Sequence, residues 1–101
     1  MLGKCDLIFM KKFRLDDVYI SVKSMKYIVR YKWNYLKSLE FVKNGLNNKK
    51  LSMLMHSKWP KLKYLFILDN FKVTNDSFKI FKKCKWPKLH GLFIIGPLIL
   101  N

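Results

Sequence analysis

Residues 58–70 read KWPKLKYLFILDN, and residues 85–94 read KWPKLHGLFI. A further copy, KWNYLKSLEFVKN, occupies residues 32–44, so all three tryptophans of the chain stand in one local pattern. The tryptophans, at positions 33, 59 and 86, are separated by 26 and 27 residues. Self-similarity at a fixed period of about 20 to 50 residues is typical of a repeat architecture. The sequence therefore predicts stacked repeats with a period of 26–27 residues.

Apolar residues follow each tryptophan in the pattern L-x-x-L-x-L-x-x-N, and a degenerate copy precedes Trp33. Alternation of apolar and other residues is typical of a strand with one buried face. Pro97 stands where the fourth copy would have its asparagine. Stacking of the copies predicts neighbouring parallel strands whose apolar columns form a continuous core. In chain order the columns contain Met10, Phe13, Leu15 and Val18; Leu36, Leu39, Phe41 and Asn44; Leu62, Leu65, Ile67 and Asn70; and Leu89, Leu92 and Ile94.

A helix is predicted before each tryptophan. An apolar pair stands eight and five residues before each of them, and this i, i+3 spacing places both members on one helical face. Ser21 and Thr74 are predicted N-caps, and Asp76 falls in a first helical turn, where an acid suits the helix dipole. The pairs are Met25 and Ile28, Leu51 and Leu54, and Phe78 and Phe81.

These columns resemble those of leucine-rich repeat proteins. The stretch from residue 73 to residue 89 is most similar to the cysteine-containing and ribonuclease-inhibitor-like subclasses, whose repeats carry a helix. The resemblance implies an α/β fold: a short leucine-rich repeat solenoid with parallel strands on the concave side and helices on the convex side. Asn44 and Asn70 resemble the asparagine ladder of the family, in which a buried amide satisfies the backbone of the turn that leaves the strand. The predicted single domain, 1–101, consists of a degenerate first repeat (7–32), a second (33–58), a third (59–85) and an incomplete fourth (86–101).

Length and composition also favour one folded domain. Half of the 101 residues are hydrophobic, and a second core would leave each half too small to be stable alone. No apolar run reaches the roughly 18 residues needed to cross a bilayer, and the short N-terminal run is broken by Asp6, so neither a transmembrane segment nor a signal peptide is predicted. Cys5 and Cys84 form no disulfide framework. We expect an intracellular protein, cytoplasmic or nuclear.

The sequence contains no pattern typical of an enzyme. Asp16 and Asp17 are the one close pair of acids, and adjacent strand residues point to opposite faces. His56 and His90 have no further metal ligand at a suitable spacing, and Cys84 falls in a last helical turn, where the dipole disfavours a thiolate. We therefore expect no catalytic residues, no metal, no cofactor and no small-molecule substrate.

The concave face of the sheet is the first candidate binding surface, formed by the residues that alternate with the core leucines. The resemblance favours this face, because the family ordinarily binds ligands there, and a row of exposed aromatic and aliphatic residues is typical of an interaction site. Two alternatives are that a further element covers these residues and that they reflect a compositional excess of Phe and Ile. The predicted protein-binding residues are Arg14, Ser38, Glu40, Val42, Tyr64, Phe66, Leu68, Phe93 and Ile95.

Lysine columns are the second candidate surface. The chain carries 21 Lys and Arg against 6 Asp and Glu, a net charge of +15, which favours an anionic partner such as nucleic acid or an anionic membrane. However, 19 of the 21 are lysine, and the absence of Ala and Gln is typical of coding bias with solvated lysines. Both interpretations stay open. The predicted anion-binding residues are Lys32, Lys58 and Lys85 in one column and Lys61 and Lys88 in another.

The ends depart most from the pattern. Residues 7–10 are predicted to fold over the first strand as a partial cap, because a terminal repeat otherwise leaves its core open to water. At the other end an apolar edge strand with no helix after it favours self-association or a longer repeat protein, although Pro97 removes one edge donor.

Overall fold

The computed structural model describes residues 9–96, in which strands and helices alternate along the chain. Ser21 caps the helix Val22–Arg30 (α1), since its side chain accepts a hydrogen bond from the amide of Ser24 at 3.1 Å. Asn47 caps the helix Asn48–Ser52 (α2) in the same way through the amide of Lys50 at 2.8 Å. A 3-10 helix, Met53–His56, continues α2. The elements are β1 (Lys12–Asp16), α1 (Val22–Arg30), β2 (Ser38–Val42), α2 (Asn48–Ser52), β3 (Tyr64–Leu68), α3 (Ser77–Phe81) and β4 (Gly91–Ile95).

The four strands form one parallel sheet in the order β1-β2-β3-β4. Phe13 pairs with Leu39, Leu39 with Leu65, and Leu65 with Leu92, so equivalent positions of the sequence repeat are neighbours in the sheet. The predicted α/β fold with parallel strands is therefore confirmed. Parallel neighbours need a crossover connection, and the helices provide it.

The core lies between the sheet and the helices. Trp33, Trp59 and Trp86 are buried in it, and the Trp59 and Trp86 rings lie 4.9 Å apart between centroids. Trp33 instead contacts Phe13 and Tyr31. The remaining buried apolar residues of the core are Ile20, Met25, Ile28, Leu36, Leu39, Phe41, Leu46, Leu51, Leu54, Leu62, Leu65, Ile67 and Phe81.

The turn after each of the first three strands repeats one backbone conformation. Asp17, Lys43 and Asp69, spaced 26 residues apart, have φ values of 56°, 53° and 54°, in the left-handed region. The asparagine that follows two of these residues is buried, as predicted. Asn70 Oδ1 accepts hydrogen bonds from the backbone amides of Asn44 (2.9 Å) and Leu46 (3.1 Å).

The predicted buried face of the third helix is confirmed at Phe81 and wrong at Phe78. Ser77 is fully buried and Phe78 is 42% exposed, although Phe78 was expected in the core. The backbone enters α3 through i, i+3 hydrogen bonds, such as Ser77 N–H to Thr74 O at 3.0 Å, and this tighter winding rotates the face relative to a regular α-helix. Asp76 occupies the N-cap position of α3 without a capping hydrogen bond from its side chain. The hydroxyl of Thr74, the predicted N-cap, accepts a hydrogen bond from the Asp76 amide at 3.3 Å, and Thr74 also exchanges hydrogen bonds with Asn48 in the preceding repeat.

The predicted caps lie largely beyond the region that the structure describes. Residues 7 and 8 and residues 97–101 are outside it, so the proposed N-terminal cover and the edge after β4 stay predictions. Phe9 is exposed, and its ring lies 5.7 Å from that of Tyr35.

Across residues 9–96, none of the helices is both long enough and apolar enough to cross a bilayer.

Candidate interaction surfaces

The sheet face opposite the core, here called the open face, forms the first surface. Its residues alternate with the core residues along each strand, and the parallel register aligns them in rows across the sheet. The rows are Lys12, Ser38, Tyr64 and Gly91; Arg14, Glu40, Phe66 and Phe93; and Asp16, Val42, Leu68 and Ile95.

An aromatic cluster occupies the β3–β4 half of the open face. The rings of Phe66 and Phe93 are stacked, with centroids 4.9 Å apart and planes inclined by 12°, and Tyr64 lies 6.5 Å from Phe66. Gly91 makes room for this arrangement, because a Cβ at that position would approach the Phe93 ring to 2.6 Å. The cluster therefore depends on a residue without a side chain at the start of β4.

A charged cluster occupies the β1–β2 half. Arg14 forms ion pairs with Asp16 at 2.9 Å and with Glu40 at 3.7 Å, and Lys12 lies 4.0 Å from Glu40. The two distances to Glu40 are too long for hydrogen bonds, so its Oε2, although buried, has no hydrogen-bond donor. The open face thus changes from paired charges to aromatic rings between β2 and β3.

Exposure divides the predicted protein-binding residues into three groups. Arg14, Tyr64, Phe93 and Ile95 are exposed, and Ser38, Glu40, Phe66 and Leu68 are half-buried.

Val42, in contrast, is only 6% exposed, so its predicted place in an accessible surface is wrong. It lies on a central strand, with Asp16 and Leu68 as its neighbours across the sheet.

Three of the predicted anion-binding lysines line one groove of about 770 Å³. They are Lys32, Lys58 and Lys85, the residues that precede the three tryptophans. Lys61 and Lys88 are outside it. Lys61 instead places its ammonium group over the ring of Tyr35, 4.7 Å from the centroid. The first predicted column is thus brought together and the second is not part of the groove.

Two further basic residues line this groove, Arg30 and His56, which the lysine columns did not indicate. Both stand three residues before a tryptophan, and Lys83 has the same place in the third repeat. A search of the repeat for a second basic column would have found them.

A buried lysine was also missed. Lys50 donates hydrogen bonds to the Tyr19 hydroxyl at 3.0 Å and to the Gly45 carbonyl at 3.2 Å. The hydrogen bond from Lys50 to the Tyr19 hydroxyl, together with the positive charge of Lys50, lowers the pKa of Tyr19. A buried ammonium group needs hydrogen-bond acceptors, but the sequence pattern did not indicate that position 50 is buried.

Reactive groups are few in the part of the chain described. Residues 9–96 contain no group of three or more His, Cys, Asp or Glu side chains positioned for a metal ion. Burial raises the pKa of the Cys84 thiol to about 11, which keeps it protonated near neutral pH. Its Sγ lies 3.8 Å from the carbonyl oxygen of Ile80.

Comparison with protein-family models, with curated proteins and with solved structures finds no match to this chain.

Proposed function

We propose that the protein is a non-enzymatic interaction module that binds a protein partner on the open face. The stacked Phe66–Phe93 pair is the observation that carries this proposal, because Phe93 is 41% exposed and Phe66 is half-buried beside it. Aromatic residues presented on a firm backbone bury a large area at a low entropy cost, and they dominate the energetics of many interfaces.

The polarity of the open face indicates the chemistry of the partner. An apolar side chain of the partner would cover Phe93 and Ile95, both exposed. On the β1–β2 side, Lys12 and Arg14 are already paired with Asp16 and Glu40, so the charged cluster is balanced. We therefore propose a protein segment with an apolar anchor followed, toward β1, by an uncharged polar residue.

We also propose that the fold is a leucine-rich repeat solenoid. The 26-residue offset between β1 and β2 and between β2 and β3, and the buried Asn44 and Asn70, support this interpretation. In such a fold each repeat buries its apolar face against its neighbours, which leaves the sheet face available for binding.

A capture experiment with matched variants tests the binding face. Tagged wild-type protein, Phe93→Asp and Phe71→Asp would be compared for the proteins that they retain from an extract of the source cells. Phe71 is 71% exposed and outside the open face, so it controls for the loss of any exposed aromatic ring. We expect at least a tenfold loss of one retained protein with Phe93→Asp, which corresponds to about 1.4 kcal/mol, and no loss with Phe71→Asp.

An equal loss with both variants would contradict the proposal, because the interaction would then follow exposed hydrophobicity rather than the face. A partner retained equally by wild type and Phe93→Asp would contradict it as well. Circular dichroism of the three proteins checks whether they are equally folded.

A further inference from the structure

All charged side chains that line the groove beside the tryptophans are basic. Arg30, Lys32, Lys58 and Lys85 contribute four permanent positive charges, and His56 adds a further basic group. The lining contains no Asp or Glu. We propose that this basic groove is a binding site for single-stranded nucleic acid, separate from the open face.

In the described part of the chain, the cations of the groove have no ion-pair partner. Within residues 9–96, the ion pairs join Arg14 and Lys12 to acids on the open face and Lys79 to Asp76 on α3. None of the groove side chains is among them. Positive charges held together without counter-charges repel one another and attract an anion. When such cations neutralise the phosphates of a nucleic acid, the counterions condensed on it are released, which favours binding.

Favourable interaction with helix C-termini explains only two of the basic residues in the groove. Arg30 stands in the last turn of α1 and His56 in the last turn of the 3-10 helix, where cations suit the local dipole. Lys32, Lys58 and Lys85 follow the helices, and each sits one residue before its tryptophan. Three lysines at one place in successive repeats therefore form a line of positive charge along the stack.

The apolar surface of the groove favours a single strand. Pro60 and Pro87 are exposed and Tyr31 is half-buried, and all three line the groove beside the lysines. Sites for single-stranded nucleic acid combine cations for the phosphates with aromatic side chains on which the bases stack, and Tyr31 provides an aromatic ring beside the lysines.

Two variants of equal charge test the proposal. The groove variant is Lys32→Gln/Lys58→Gln/Lys85→Gln, and the matched variant is Lys23→Gln/Lys26→Gln/Lys49→Gln, which changes three exposed lysines outside the groove. The probe is a fluorescein-labelled oligonucleotide of about 12 nucleotides with mixed sequence, a length within the usual site size. Fluorescence anisotropy gives the dissociation constant of each protein at several salt concentrations.

We expect the groove variant to lose at least about tenfold in affinity and the matched variant less than about threefold. The slope of log affinity against log salt should fall by about 2 in the groove variant, since each lost phosphate contact removes about 0.7 for a single strand. Single substitutions, Lys58→Gln and Lys49→Gln, repeat the comparison should a triple variant fold poorly.

Three outcomes would overturn the inference. Equal losses in the two triple variants would show that net charge alone binds the oligonucleotide. Polyglutamate bound as tightly as the oligonucleotide, with the same loss in the groove variant, would make the site one for acidic peptides. Vesicles containing phosphatidylserine bound in preference to the oligonucleotide would make it a membrane site.

The inference is independent of the proposed protein-binding function. Phe93→Ser lies outside the groove and leaves its charge unchanged, so this variant should keep the oligonucleotide affinity of the wild type. The groove variant should in turn retain any protein captured through the open face.

Discussion

Asn70 connects two successive turns through one carboxamide. Its oxygen accepts from the amides of Asn44 and Leu46, and its nitrogen donates to the carbonyls of Leu68 at 2.9 Å and Phe41 at 3.3 Å. The Asn44 side chain donates one bond, to the Val18 carbonyl at 2.7 Å, and its own oxygen has no donor. Two residues of one type at equivalent positions thus carry different numbers of contacts.

This difference predicts unequal costs. Asn70→Ala should lower the free energy of unfolding by about 3 kcal/mol or more, because two buried amides lose their acceptor. Asn44→Ala should cost about 1 kcal/mol. Urea denaturation followed by circular dichroism measures both, and equal midpoints would contradict the assigned network.

Lys43 has a left-handed backbone, with φ of 53°, that glycine adopts without strain. Lys43→Gly should therefore leave the melting temperature unchanged or raise it slightly. The strain of about 1–2 kcal/mol that a side chain causes in the left-handed region is removed, and this gain exceeds the entropy cost of glycine. Lys37→Gly is the matched control: Lys37 is exposed and is not among the residues with positive φ. It should lose about 0.5–1 kcal/mol. A larger loss for Lys43→Gly than for Lys37→Gly would refute the argument.

The raised pKa of Cys84 predicts that stability falls at alkaline pH. Its pKa is raised by burial from 9.0 to about 11, so the folded state favours the neutral thiol. The contribution of the Cys84 thiol to the free energy of unfolding is fully present below pH 9 and is lost as the pH rises through about 11. In a Cys5→Ser background, alkylation of Cys84 should reach its half-maximal rate near pH 11 in the folded protein and near pH 9 in urea. Coincident profiles would show that the thiol is not shielded.

At the scale of elements, the tryptophans occupy one column but differ in their hydrogen bonds. Trp33 Nε1 donates to the Ile28 carbonyl at 2.7 Å and Trp86 Nε1 to the Ser57 carbonyl at 3.3 Å. The Nε1 of Trp59 is buried without an acceptor. Trp33 therefore fastens the end of α1 to the core, whereas Trp59 acts through packing alone.

Replacement by phenylalanine separates these roles. Trp33→Phe and Trp59→Phe remove similar volumes, but only Trp33→Phe breaks a buried hydrogen bond. We expect Trp33→Phe to destabilise the protein by about 1 kcal/mol more than Trp59→Phe. Thermal unfolding of the two variants measures the difference, and the reverse order would contradict it.

Elements were predictable where the repeat and the local period agree. Leu39 and Leu65 belong to both a strand pattern and a repeat column, and they pair as expected. Phe78 also fits a repeat column, but the winding of the backbone before α3, which the column does not encode, turns it outward. Exposure at a single position, as at Val42, depends on the neighbouring side chains across the sheet. The sequence contains their identities but not how much surface they cover.

At the scale of the whole molecule, charge dominates. The net charge of +15 belongs to a chain of 101 residues, and in the described region the ion pairs use only Lys12, Arg14 and Lys79 among its many cations. Repulsion among the others opposes the compact state and is screened by salt. The groove is the part of this surface where Arg30 and three lysines share one lining.

Salt should therefore stabilise the protein. Raising the salt concentration from about 0.01 to 0.1 M shortens the Debye length from about 30 to 10 Å, and we expect a rise in melting temperature on the order of 5 °C. The Lys32→Gln/Lys58→Gln/Lys85→Gln variant should show a smaller rise. A melting temperature that falls with salt would mean that the ion pairs of the open face outweigh the repulsion.

The carboxamide of Asn70 also sets an order of events during synthesis. A chain leaves the ribosome from its N-terminus, at about 5–20 residues per second, so Asn70 follows Asn44 by about 1–5 s. Until Asn70 emerges, the amides of Asn44 and Leu46 have no acceptor from it, although β1 and β2 are already available to pair. This turn of the nascent protein is therefore completed only after the next repeat has been translated.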